Sequence, residues 1–473
     1  MKRYIVMLVC VFLLLASITG CKKVDATLRV IVEEEEDSFS TSGFRCQLDA
    51  WITEFEATHE GVTIILEEIP LDSQSREPML QRLYTEYMTG DGPDVILLPN
   101  AYSDQAKIFG QKSLFDDLNL AMRNGAFLDI SKYYDKDEKL KVGELQKVVM
   151  DAGVVDGARY ILPLRYDIPV FYVDREGFAE TGLNPAVFES NLMDMMKAVA
   201  EMSDDRTACN FRMHWIQPQF TFNLLSELID YDTGKVLSSE QELEQFLQAY
   251  QDYWVRILGS AQNGALSHRP EFFEYLNYGT FWTDTDNFMF IGSLQQAMEN
   301  AVIAETKGIV LDMYPIRSTN GTVVADVTFY GAISAGCRNP DLAYEFLRAF
   351  LTEDFQWERN ISNNRRPWKL AAPGWPVRTK NSKDALVESI WRISEIHFNF
   401  YGHKISKESF INAQLPILDA PIDEARFSIS LERDFWQMLS SLYNRDTNQA
   451  SNMDINQAAK DWIKKLQWHI AEG

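Results

Sequence analysis

Thr89-Gly90-Asp91-Gly92-Pro93-Asp94-Val95-Ile96-Leu97-Leu98 is the stretch on which the reading of the fold turns. Two glycines and a proline mark a turn, and the apolar residues after them read as a buried strand. Leu28-Arg29-Val30-Ile31-Val32 and Val62-Thr63-Ile64-Ile65-Leu66 give the same signal upstream. Between those two, Leu48, Trp51, Ile52 and Phe55 recur at the i, i+3, i+4, i+7 spacing of a helix that Gly61 stops. A second helix is predicted over about residues 77–88. Strand, helix, strand, helix, strand is the rhythm of an α/β unit on a largely parallel sheet. Neither G-x-G-x-x-G nor G-x-x-x-x-G-K-[ST] occurs, so a nucleotide cradle is not expected.

The rest of the chain continues in mixed elements. Residues 184 to about 278 read as mostly helical, with Asn184-Pro185 opening one helix. Phe288 to Ile291 is a short strand, Val323 to Ser334 is strand-rich, and Asn339-Pro340-Asp341 caps a helix carrying Leu342, Phe346, Leu347 and Phe350. The last hundred residues read as helical. No repeat or low-complexity linker divides the chain, which predicts lobes built from interleaved segments.

Composition narrows the function classes. The 473 residues are 46% hydrophobic, with 28 Phe, 19 Tyr and 11 Trp, and carry a formal charge of −24. This length suggests two or three globular units. Binding to nucleic acid or to an anionic membrane surface needs clustered Lys and Arg, and this balance argues against both.

Met1 to Cys21 reads as an export signal. Lys2 and Arg3 precede an uncharged apolar run from Tyr4 to Ala16, too short for a comfortable transmembrane helix. Ser17-Ile18-Thr19-Gly20-Cys21 resembles the bacterial lipobox, which implies cleavage before Cys21 and its acylation, for example with palmitate. Removing residues 1–20 takes away two cations and no acid, so the mature body is more acidic still. Cys46, Cys209 and Cys337 remain; with no C-x-x-C pair at most one disulfide can form among them, and the expected reading is buried free thiols.

Five stretches, in order, resemble family 1 of the extracellular solute-binding proteins of ABC importers, the family that includes maltose-binding protein. They are Trp51 to Glu56 with Gly61-Val62-Thr63-Ile64; Thr89 to Ile96; Tyr160-Ile161-Leu162-Pro163 leading to Val170-Phe171-Tyr172-Val173-Asp174; Gly331 to Ser334 with Asn339 to Leu347; and Trp375-Pro376-Val377-Arg378. The chain departs from the family at Val173-Asp174, where Tyr-Asn is usual. The resemblance implies an α/β, periplasmic-binding-protein-like fold, with two α/β lobes, a hinge and an interlobe ligand cleft. On this reading residues 1–20 are a lipoprotein signal peptide and 21–27 a lipid-anchored tether. Residues 28–167 and 330–374 form lobe 1, and 168–329 and 375–473 form lobe 2. Crossings are expected near 164–169, 328–331 and 373–378.

The resemblance also implies partners and a place: a small solute, most simply a carbohydrate; the permease subunits of an ABC importer; and a membrane reached only through the anchor. It implies a monomer on the outer face of the cell membrane, in a monoderm bacterium, with no cofactor and no nucleic-acid partner. A neutral sugar needs carboxylates and amides beside aromatic rings. By the family's spacing Asp167 is a sugar-binding carboxylate in the first crossing, flanked by Tyr166 and Arg165; the alternative is a hinge carboxylate paired with Arg165. Trp436 lies in a region resembling the family's sugar-stacking helix, and Trp375 at the third crossing would face the cleft mouth. Asn100 and Tyr102 follow a strand's carboxyl end, where α/β ligands collect, and Tyr330 sits at the second crossing. Phe220, beside Trp215, and Trp282, with Asp284, are further ring candidates. Core packing or a contact-free loop is the alternative for each of these.

Glu33 to Glu36 is either a solvated run or a cleft rim suited to a cation such as a polyamine. A binding protein for a polyamine, peptide or other non-sugar solute, or one feeding a sensor system, is the alternative reading. A secreted glycan hydrolase is the rival enzyme, but neither G-x-S-x-G nor H-E-x-x-H is present, and the six His are scattered. Neither catalysis nor a metal is expected.

Overall fold

The computed structural model describes residues 26–34, 44–100, 112–205, 208, 225, 227–260, 289–294, 310–358, 374–379, 421–444 and 449–472. β1 (Ala26–Glu33), α1 (Phe44–Thr58), β2 (Val62–Ile69), α2 (Ser73–Thr89) and β3 (Val95–Pro99) follow in the expected order. β1 pairs in parallel with both β2 and β3. The Asp72 carboxylate accepts from Ser75 N to cap α2, and Gly90, at φ 77°, closes it in the left-handed conformation a side chain resists.

The chain continues through α3 (Leu118–Arg123) to β4 (Ile161–Asp167), buried along its whole length. Ile168 alone separates β4 from β5 (Pro169–Asp174). There follow α4 (Leu192–Ala200), the hairpin β6 (Ile229–Asp230) and β7 (Lys235–Val236), α5 (Glu240–Ser260), β8 (Met289–Ser293) and β9 (Leu311–Pro315). β10 (Val324–Ile333), α6 (Pro340–Arg348), β11 (Trp375–Pro376), β12 (Glu424–Arg426), α7 (Leu431–Ser441) and α8 (Ile455–Glu472) complete the set used below.

Two sheets organise two lobes. The first has the order β11-β4-β10-β3-β1-β2, with β12 beside the start of β10; the second is β8-β5-β9. The first sheet is mixed rather than largely parallel, because β10 runs antiparallel to both β3 and β4. β10 returns from the second lobe, so it enters this sheet from the opposite end to a strand delivered by a βαβ crossover.

Burial follows the same division. Leu28, Val30, Leu48, Phe55, Val95, Leu97, Ala332 and Phe346 belong to one core, and Phe171, Met195, Phe246, Phe435 and Trp462 to another. β5 serves both by strand alternation: Val170 and Tyr172 join the first cluster, Phe171 and Val173 the second.

The described crossings differ in place from those expected at 328–331 and 373–378. Ile316 is in the second core while Val323, Ala325, Val327 and Phe329 are in the first, so residues 317–322 carry the second crossing. Trp375 and Val377 pack in the first core, and the third crossing lies between Phe427, in the first core, and Ile429, in the second. The 375–378 segment is held in lobe 1 by Arg378, whose guanidinium donates to Leu351 O (2.8 Å) and Leu140 O (2.6 Å) and pairs with Glu144. β12 and the short hairpin Tyr443–Asn444/Gln449–Ala450 also interrupt the expected C-terminal helical run. Cys46 and Cys337 are free thiols, but Cys46 is exposed and Cys337 half-buried rather than buried, and Cys209 lies outside the described residues; desolvation still pushes the Cys337 thiol up to about 12.

At the carboxyl edge of the first sheet Arg76 reaches Glu33 at 2.5 Å, with both side chains nearly inaccessible. The same guanidinium donates to Lys112 O (2.7 Å) and Pro70 O (2.9 Å). Glu33 is therefore a structural ion-pair member. Glu34 accepts from Leu71 N at 3.0 Å, and Glu35 and Glu36 lie outside the described residues. Removing one partner of a buried pair strands the other charge. Arg76→Met should cost about 3–5 kcal/mol in urea denaturation, and adding Glu33→Leu should recover much of that loss.

Candidate functional site

The parallel strands β1, β2, β3 and β4 all end at one edge of the first sheet, and β10 starts there. Glu33, Asn100, Asp167 and Asp326 are brought to that edge from positions far apart in sequence. In α/β proteins this is the edge where ligands collect.

Two of the three crossings leave from the same row of residues. Asp326 of β10 stands opposite Asp167 of β4 on one side and Arg426 of β12 on the other. The first crossing leaves one residue after Asp167, and the third leaves just after Arg426; the second arrives just before Asp326. The strand β10 can take both neighbours because β3 ends at Pro99, and β12 occupies the edge that β3 vacates.

Polar contacts converge on this row. Ser428 Oγ donates to Asp326 Oδ1 at 2.8 Å, and Asn100 Nδ2 approaches the same oxygen at 3.4 Å. Asn100 itself is placed by its backbone N–H, which donates to Thr328 O at 2.8 Å. Asp167 Oδ1 accepts from the next backbone amide, Ile168 N, at 2.9 Å. Glu432, in the first turn of α7, comes down from the second lobe. Asp326 is 0% exposed, Glu432 1%, Asn100 1% and Asp167 3%.

The electrostatics are unbalanced. Asp326 Oδ2 and both carboxylate oxygens of Glu432 are buried and accept no hydrogen bond of ordinary geometry among the described residues, although the Ser428 hydroxyl and the Ile429 amide lie near Glu432. Burial pushes the Asp326 carboxyl up to about 8, and the nearby Asp167 charge adds to the shift. Glu432 is driven well above the usual carboxylate range by burial and then by Asp326. Arg426 is the cation facing them; burial lowers its pKa, opposed by Glu424, Glu432, Asp326 and Glu227.

A second set of contacts ties the lobes beside Glu432. Asp117, N-cap of α3, accepts from Tyr231 Oη at 2.7 Å and pairs with His469 Nε2 of α8 at 2.9 Å. Arg123 pairs with Asp232, and Ser430 N donates to Asp116 O at 3.0 Å.

The residues proposed from sequence separate cleanly. Asp167 and Asn100 are in the row, but Arg165 does not pair with Asp167: its guanidinium donates to Phe355 O (3.2 Å) and Gln356 O (3.3 Å) in lobe 1. Burial alone lowers the Arg165 pKa to about 9. Tyr166 is buried in β4 opposite Val327 and Trp375, a core position rather than a cleft ring. Trp375 does not face a cleft mouth. It is buried edge-on against Trp357, 6.1 Å between ring centroids, because the segment joins the sheet as β11. Tyr330 lies within β10, not at a crossing, buried against Phe427 at 6.1 Å. Trp436 is half-buried on α7, four residues after Glu432 and so one turn along the same face. Tyr102, Trp215, Phe220, Trp282, Asp284 and Cys21 lie outside the described residues.

Asp326, Arg426, Ser428 and Glu432 were missed from sequence. Asp326 offered one signal, an acid inside the otherwise apolar run Val323-Val324-Ala325-Asp326-Val327. Among the described residues no group of His, Cys, Asp and Glu is arranged to hold a metal ion, and no helix is long and apolar enough to cross a membrane.

Solved structures share this fold. An extracellular solute-binding protein family 1 from Alicyclobacillus acidocaldarius aligns over 94% of this chain and 98% of its own, at 13% identity and a TM-score of 0.52. A periplasmic oligogalacturonide binding protein from Yersinia enterocolitica aligns over 94% and 99%, at 13% identity and a TM-score of 0.57. A de novo designed cysteine esterase aligns over 94% and 98%, at 14% identity and a TM-score of 0.57. The resemblance carried by the five motifs is thus borne out in the fold: the chain has the architecture of family 1 extracellular solute-binding proteins. No protein-family model and no curated protein matches the sequence.

An acid whose pKa is raised on folding keeps its proton where the unfolded chain has lost it. For Asp326 that window runs from about pH 4 to about pH 8, so stability falls as pH rises across it. Urea denaturation at pH 5 and pH 8 should show this loss in the wild type. Asp326→Asn should reduce it, leaving the share that Glu432 contributes, and make the protein more stable at pH 8 by about 1–3 kcal/mol.

Proposed function

We propose that this protein is a solute-binding protein that captures a carbohydrate, most simply an oligosaccharide, by closing two lobes about the Asp167–Asp326–Arg426 row. It hands the solute to the permease of an ABC importer. It is a binding protein rather than an enzyme, held as a monomer on the outer face of the cell membrane by an acylated Cys21.

The observation that carries this reading is the hinge. The lobes have separate cores and exchange three chain crossings, and polar side chains gather where the crossings meet the carboxyl edge of the first sheet. Such an arrangement lets a ligand shift an open–closed equilibrium through the contacts it gains only on closure. Carboxylate and amide oxygens with Trp436 one helical turn away match the hydroxyls and apolar faces of a sugar ring. The likeness in fold to an oligogalacturonide binding protein supports the same substrate class. The lipobox-like Ser17 to Cys21 supports the anchor.

A screen of neutral oligosaccharides, amines and short peptides by thermal shift and tryptophan fluorescence tests the reading. One sugar class should raise Tm, and Trp436→Ala should weaken its binding by about 1–3 kcal/mol. Turnover of a glycan, lost in Asp167→Asn, would point to a hydrolase instead. In a bacterial host, Cys21→Ser should move the protein from the membrane fraction to the soluble fraction.

A further inference from the structure

The hinge row holds more buried carboxyl oxygens than its contacts satisfy. Asp326 and Glu432 are buried carboxyl groups beside Asp167, and Arg426 is the cation facing them among the described residues. Three of their oxygens, Asp326 Oδ2 and Glu432 Oε1 and Oε2, accept no hydrogen bond of ordinary geometry among the described residues; the Ser428 hydroxyl and the Ile429 amide stand near Glu432 and offset only part of its burial. A buried carboxylate oxygen left without a donor is costly, and two such groups side by side more so. Either protons or a cationic donor must satisfy them.

We propose that this cluster is a subsite for a primary ammonium group of the ligand. The proposal rests on the solute-binding reading above and narrows its substrate class to amine-bearing solutes, of which an amino sugar fits the carbohydrate assignment. An ammonium brings three N–H donors, matching three unpartnered oxygens, and a charge opposite to theirs. Ammonium contacts are met at about 2.8 Å without fixed coordination geometry, whereas a metal needs ligands converging at about 2.0–2.6 Å. The described carboxylates are not so arranged, which favours the ammonium over a divalent ion.

The position also suits a ligand rather than a purely structural cation. Asp167 and Asp326 belong to lobe 1 strands, and Glu432 to a lobe 2 helix that follows the third crossing. Hinge motion changes how these acids face one another, so a cation bridging them favours closure. Tyr231, Glu424 and Glu227 also face the cluster from the neighbouring elements and bring no positive charge, while the Asp117–His469 pair stands beside it through Tyr231.

The test uses the full-length mature protein with four probes: glucosamine oligomers, their N-acetylated counterparts, spermidine, and neutral oligosaccharides. Thermal shift and calorimetry in two buffers of different ionisation enthalpy read binding and proton release together. The expected result is that an amine-bearing probe raises Tm and, at pH 7, releases close to one proton as the acids ionise. Glu432→Gln should weaken that probe by tenfold or more. Glu432→Gln and Asp326→Asn each replace a buried acid with a neutral amide of the same shape, so both should fold, which their unligated Tm checks.

Glucosamine oligomers binding where acetylated ones do not supports both the ammonium site and the carbohydrate reading. Spermidine alone binding supports the site and overturns the carbohydrate assignment. Neutral or acetylated sugars binding while amines do not overturns the ammonium site and leaves the broader reading standing. Amine binding that is unchanged in Glu432→Gln, or that releases no proton, also overturns it.

Discussion

The fold depends on one backbone arrangement: a single strand, β10, that hydrogen-bonds on both sides where the chain passes between lobes. On one side it pairs with β4, and on the other first with β12 and then with β3. That pairing puts Asp167, Asp326 and Arg426 in register, so two crossings leave the sheet from one short row. A hinge made of strands anchored so firmly at their lobe 1 ends can bend only in the few residues beyond, such as Ile168 and residues 427–429.

The same arrangement explains why charge is buried there. Strand ends at the edge of a sheet would ordinarily be wet. Here the second lobe covers them, with α7 bringing Glu432 down from one side and Asp117, Tyr231 and His469 tying the lobes next to it. Acids that would be unremarkable in water are raised by desolvation. They become groups whose charge depends on pH within the range where proteins work.

Much of the fold was legible locally. The first five elements were readable because each carries its own period and its own stop, such as Gly61 and Gly90. The site was less so. Asp167 and Asn100 could be placed because each ends a recognisable strand. Tyr330 and Trp375 were misplaced because a ring at a segment boundary looks alike whether it faces a cleft or a core. In the structure Gly374 decides the second case. Its φ of 109° and its approach to Thr328, where a Cβ would lie 2.0 Å from Oγ1, press the segment onto β4 as an edge strand. No pattern within residues 373–378 announces that neighbour.

By itself, then, the sequence determined the alternation of strands and helices, the acidic balance, the lipobox-like stretch Ser17 to Cys21 and the order of motifs that resembles solute-binding proteins. Those are properties of short windows, set by side-chain period, turn chemistry and charge. Only the tertiary structure decided where the chain crosses between lobes and which charged residues meet. Asp167, Asp326, Arg426 and Glu432 lie up to hundreds of positions apart, and their encounter is set by strand register and lobe packing. No single window contains either.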